Sequence, residues 1–192
     1  MAALLLLVFK FIFLFNFLFA EGSSECPAGA YSFVNSPDGG TLSILFDQFF
    51  IEAGGRTGQI TARKSCKMDI LLSLPTGYSI GVYKVDYRGF ARLDFKQSTD
   101  LNVDFNLGTK VNGRNFRRSV HGVHDGDFIF TETLGAGVMK RAGCGNSTNL
   151  SLNISLALDA GKSPFQALAA LDSVDGAPKG GLVYHLDYKK CR

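Results

Sequence analysis

The chain has 192 residues, 20 basic and 17 acidic for a formal charge of +3, with 17 phenylalanines, four cysteines and no tryptophan. That balance argues neither for nor against an acidic partner, and the basic runs Arg114–Arg118 and Lys189–Lys190 are too short to suggest a nucleic-acid surface and read as solvated loop and terminus charges. The length suits one ordinary domain with a real core.

Met1 to Ala20 carry Lys10 as their sole charge and end in a small residue. This is the pattern of a secretory signal helix, with its apolar core at Phe11–Phe19 and cleavage before Glu21. An uncleaved anchor is the competing reading, since about 20 apolar residues span a bilayer; Lys10 near mid-bilayer weighs against it. Residues 1–20 are therefore expected to be a signal peptide and 21–192 a single secreted, extracellular domain, with no membrane partner after cleavage. All four cysteines, Cys26, Cys66, Cys144 and Cys191, follow that segment. An even number in an exported chain predicts two disulfides, in any of three pairings. Their wide spacing, without a CxxC pair, makes zinc a weak alternative.

Beyond residue 40, apolar and polar side chains alternate with the period of strands that have one face on a core and one in water. Strands are predicted at Leu42–Phe46, Gln59–Arg63, Cys66–Leu74, Tyr78–Asp86, Ala91–Phe95, Leu101–Leu107, Phe128–Thr133, Leu150–Leu156 and Leu182–Tyr188. Turn-forming clusters such as Pro37–Gly40, Pro75–Gly77 and Asp125–Gly126 separate them. Ser163–Ala170 reads either as a short helix capped by Ser163 with Pro164 in its first turn, or as an irregular loop. The expected fold is all-β, an antiparallel two-sheet β-sandwich of jelly-roll or immunoglobulin-like kind, with at most one short helix behind the N-terminal signal helix. A closed barrel is the alternative.

Four groups of residues carry candidate chemistry. His121, His124, Asp125 and Asp127 offer two imidazoles and two carboxylates, ligand types that suit a divalent metal. Residues three apart face opposite ways on a strand, so they would need a loop, and a polar turn feeding the Phe128 strand is the simpler reading. Lys84, Asp86 and Arg88 share one face of their strand, as an arginine-clamped carboxylate or, more simply, a structural ion pair beside a Gly89 turn. Sequons at Asn146, Asn149 and Asn153 are candidate N-glycosylation sites, and on the alternating strand Asn149 and Asn153 fall on the polar face. Tyr83 and Tyr87 on one strand face, and the group Phe46, Phe49 and Phe50, are candidate sugar-stacking rings, with core packing as the plainer reading. No nucleophile elbow, zinc helix motif, phosphate loop or dinucleotide fingerprint occurs.

The run Gly77–Ala91, containing Asp86-Tyr87-Arg88-Gly89, resembles a family of small secreted proteins known as domain of unknown function 4360. Cys26-Pro27-Ala28-Gly29, Arg63-Lys64-Ser65-Cys66, Cys144-Gly145, Leu152-Asn153-Ile154, Asp172–Gly176 and Tyr184–Cys191 extend the resemblance in order along the mature chain. Leu186-Asp187-Tyr188, where many members carry a tryptophan, and the basic insert around Arg114–Arg118 depart from it. The resemblance implies a secreted β-sandwich-like domain and supplies no catalytic residue. The expected function is a non-enzymatic extracellular protein, with no cofactor, that is structural or binds polysaccharide or a cell-surface or matrix protein. A secreted hydrolase with an unrecognised carboxylate site, and an effector that binds another protein, are the alternatives.

Overall fold

The structure is a computed structural model and describes residues 20–22, 26, 29–108, 113–135, 139–171 and 181–192. The signal segment up to residue 19 and the Asp172–Gly176 turn lie outside the described residues. Thirteen strands are described: β1 (Ala20–Gly22), β2 (Tyr31–Asn35), β3 (Thr41–Phe46), β4 (Phe50–Gly54), β5 (Thr61–Ser73), β6 (Tyr78–Leu93), β7 (Ser98–Leu107), β8 (Arg114–His121), β9 (His124–Thr133), β10 (Arg141–Gly143), β11 (Ser147–Asp159), β12 (Gln166–Ala170) and β13 (Gly181–Lys190). The described helical content is one 3₁₀ turn at Gly55–Thr57.

All pairings are antiparallel and make two sheets. The first runs β1-β5-β11-β7-β8; the second runs β2-β3-β13-β6-β12-β4, with β9 and β10 also paired to β6. Residues 84–88 of β6 pair with both β13 and β9, so those two strands lie on opposite edges of β6. The sheets face each other across an apolar core. Phe105 of β7 meets Tyr184 of β13 edge-on at 5.5 Å, and Tyr87 of β6 stacks on Phe116 of β8 at 3.7 Å. Such ring pairs add to the burial free energy that drives the sheets together.

The alternation read from the sequence decides which face is which. Leu101, Val103, Phe105 and Leu107 of β7, and Leu150, Leu152, Ile154 and Leu156 of β11, are all buried. So are Cys66, Met68, Ile70 and Leu72 of β5 and Leu74 just after it. Six expectations need correction. Gln59–Arg63 and Cys66–Leu74 run together as one strand, β5, which starts at Thr61, and Asp125–Gly126 lie inside β9 rather than at a turn. Tyr78–Asp86 and Ala91–Phe95 are one strand of 16 residues, with Gly89 inside it rather than at a turn. Arg114–Arg118 form an edge strand rather than a loop, because Phe116 and Val120 give that segment an inward side. Gln166–Ala170 is a strand, neither helix nor loop, since its alanines and Leu168 sit between β4 and β6. Tyr83 and Tyr87 do not share a face. The pairing of β6 with β13 slips beside Tyr83, and this bulge breaks the period of two, leaving Tyr83 outside and Tyr87 in the core.

The disulfide pairing is Cys26–Cys66 and Cys144–Cys191, with Cα separations of 5.0 and 5.8 Å. The first is buried in the core. The second ties the turn before β11 to the residue after β13.

Candidate functional site

On β6, Val85, Tyr87, Ala91 and Leu93 point into the core, so Lys84, Asp86, Arg88, Phe90 and Arg92 point to the outer face of the second sheet. Val183 of β13 and Thr131 of β9 flank Asp86 directly, and His185 lies beside Lys84. Three donors converge on the Asp86 carboxylate. Lys84 Nζ lies 3.2 Å and His185 Nε2 2.9 Å from Oδ2, while the Thr131 hydroxyl donates to Oδ1 at 2.7 Å. Asp86 is the one buried charged side chain among the described residues, and burial alone would raise its pKa. The hydrogen bonds from Thr131, His185 and Lys84, with the lysine's charge, outweigh that effect and hold it below the usual aspartate value. The carboxylate therefore stays ionised, the state of a binding or positioning group and not of a proton donor.

The bulge places Tyr83 and Lys84, consecutive residues, on the same outer side. The Tyr83 ring is exposed and lies 5.8 Å from the His185 ring. Further along, Phe90 carries Arg92 at 5.9 Å over its ring, and Phe50 is exposed on β4 nearby in the same sheet. Arg88 does not bond Asp86, and its Nε is enclosed without a hydrogen-bond partner among the described residues. Gly89 is a glycine for packing: a Cβ there would fall on the Ala170 carbonyl and the Phe128 ring. Tyr87 is structural, its hydroxyl 3.3 Å from Glu132 Oε2 and its pKa raised by burial.

The other candidates are placed as follows. His121 ends β8 and His124 begins β9, at the corner where the chain passes from one sheet to the other. His124 Nε2 lies 3.0 Å from the Gly126 carbonyl oxygen, and Asp125 pairs with Arg92 at 3.2 Å. Among the described residues no three histidine, cysteine, aspartate or glutamate side chains gather as a metal would need. Asn146 and Asn149 are exposed and Asn153 is half-buried on β11, across from Lys67 and Asp104 on the outer face of the first sheet. That face is a polar lattice: Asn115 donates to Asn102 and Asp104 at 2.9 and 2.6 Å, and Ser151 donates to Asp69. Phe46 and Phe49 pack in the core with rings 5.1 Å apart, and Phe50 alone of that trio is exposed. Sequence reasoning found Lys84 and Asp86 together but missed His185 and Thr131. The signal for His185 was its polar place between the inward Tyr184 and Leu186.

A family model described as Domain of unknown function (DUF4360) matches residues 20–191. The chain belongs to the DUF4360 family. The chain is also similar to an uncharacterized secreted protein of Arthroderma benhamiae, 26% identical over 170 residues that cover 88% of this chain and 69% of the relative. Among solved structures, that of TmCBM61 in complex with β-1,4-galactotriose is similar at 10% identity and a TM-score of 0.27, covering 93% of this chain and 90% of the other. The DUF4360 chain described here is a secreted, disulfide-bonded extracellular protein.

Proposed function

We propose that the protein is a non-enzymatic extracellular module that binds polysaccharide on the outer face of its second sheet. The observation that carries this reading is the Tyr83 ring, turned outward by the bulge beside a histidine whose Nε2 is fixed by Asp86. A sugar needs a ring to stack on and a few oriented polar groups beside it. Lys84 and the His185 ring supply the polar groups, and Asp86 orients both before the ligand arrives, which lowers the ordering cost of binding. Phe90 and Phe50 extend the strip for a chain longer than one sugar unit.

Residues 1–20 act in this reading as a cleaved signal peptide, giving a mature domain of 21–192. Glycans on Asn146 or Asn149 would cover the outer face of the first sheet and leave the second free. The mass of the secreted protein before and after amidase treatment reads both points. A mass starting from Met1 would overturn the cleavage, and an unchanged mass would overturn the glycans.

A glycan array and calorimetry on the mature domain test the binding. Tyr83→Ala is expected to weaken it by about ten-fold, the worth of one stacked ring. Release of shortened saccharide would replace binding with hydrolysis as the activity. No retention of any polysaccharide, with a protein captured instead from extracellular extracts, would favour the effector reading.

A further inference from the structure

Four of the large apolar side chains exposed on the described surface lie at one end of the sandwich: Val123 at 78% exposure, Phe95 at 67%, Phe165 at 61% and Ile60 at 56%. They stand on four separate connections, and these connections are bolted together. Gln97, only 1% exposed, accepts a hydrogen bond from the Asp94 amide at 2.7 Å and donates to the Phe165 carbonyl at 2.9 Å. Its own carbonyl accepts from the Gly122 amide at 2.9 Å, next to Val123. Ala160 in turn donates to the Ile60 carbonyl at 2.8 Å. Gly122 packs so closely under the Asp94 carbonyl that a Cβ would not fit. The apolar tips are thus held out in water by a buried polar clamp, not left there by loose loops.

Cations surround the tips. Lys96 sits 5.3 Å over the Phe95 ring, and Lys162 and Arg56 are exposed on the neighbouring connections. Of the nearby acids, Asp94 and Asp159 are turned back to cap the backbone amides of Phe95 and Gly161, and Asp125, two residues from Val123, is paired with Arg92. Phe95, Lys96, Lys162 and Phe165 line a cleft of about 350 Å³ between two of the loops.

From this arrangement we propose that this end of the sandwich docks on a lipid bilayer bearing anionic headgroups. Isolated apolar points set among cations suit an interface where each ring enters the boundary between headgroups and acyl chains while the cations meet phosphates. A protein partner would instead call for one continuous patch. The expectation of no membrane partner after signal cleavage is set aside for this surface, which lies apart from the Tyr83 and Asp86 strip.

The test is co-sedimentation of the mature protein with vesicles of phosphatidylcholine alone and with 30% phosphatidylserine, roughly the charge of an anionic leaflet. Binding is expected only to the charged vesicles, and to fall as salt rises. Phe95→Ser with Phe165→Ser should weaken it at least about ten-fold with unchanged thermal unfolding, and Lys96→Glu with Lys162→Glu should abolish the dependence on phosphatidylserine. No sedimentation at physiological salt, equal sedimentation of the variants, or vesicle-free self-association that the phenylalanine changes remove would each overturn the proposal.

Discussion

Asp86 shows what a single buried charge does to this molecule. Its carboxylate is stable only because Lys84, His185 and Thr131 complete its hydrogen bonds. Asp86→Asn is expected to cost about 1–3 kcal/mol at neutral pH, because two donors then face a weaker, uncharged acceptor. Its pH dependence has a definite sign. The folded-state pKa is lowered from 3.8, so the charge contributes its stabilisation above that value and loses it as pH falls through the lower folded one. Urea unfolding of both proteins from pH 7 to pH 2 should show the gap between them closing below pH ~4. A constant gap would mean that the carboxylate's charge does not matter. Tyr188, partly buried on β13, has its phenol pushed up to about 12, so it stays neutral across this range.

Strand β6 carries the site and also marks where the sequence stops being legible. β7 and β11 were readable because each has one face on the core and one in water, so their alternation is nearly free of error. On β6 the outward Ser79 and Asp86 are buried as well as the inward residues, which blurs the alternation, and its bulge shifts the period at Tyr83. β12 was obscured by Ala167, Ala169 and Ala170, which favour helices in isolation. Here all three are buried, and the Ala170 carbonyl comes so close to Gly89 that a Cβ on the glycine would not fit. Gly89→Ala tests that close approach. The added methyl should destabilise the protein by about 1–3 kcal/mol, measured by denaturant unfolding, as overpacked sites do. β8 was hidden by its arginines, which are tolerated on an edge strand where both its outer face and its free side meet water. Of the site, Lys84 and Asp86 could be paired from spacing alone. His185 could not, since 99 residues separate it from Asp86 and only the sheet order brings them together.

For the molecule as a whole, the two disulfides close long stretches of chain, 40 and 47 residues apart in sequence. Replacing Cys144 and Cys191 with serine should cost about 4 kcal/mol by the entropy of closing such a loop, read as a lower midpoint in guanidinium. A loss below about 1 kcal/mol would show that the unfolded chain is already compact there. The place of β13 in the second sheet has a further consequence. It is synthesised after both of the strands it separates, β3 and β6, and it brings His185 and Cys191 with it. During export the Cys26–Cys66 bond can therefore close early, while β3 and β6 wait with open edges for a partner still on the ribosome. A chain stopped before β13 leaves those two edges without the strand that separates them. Completion of the Asp86 cluster and completion of the fold are the same late event.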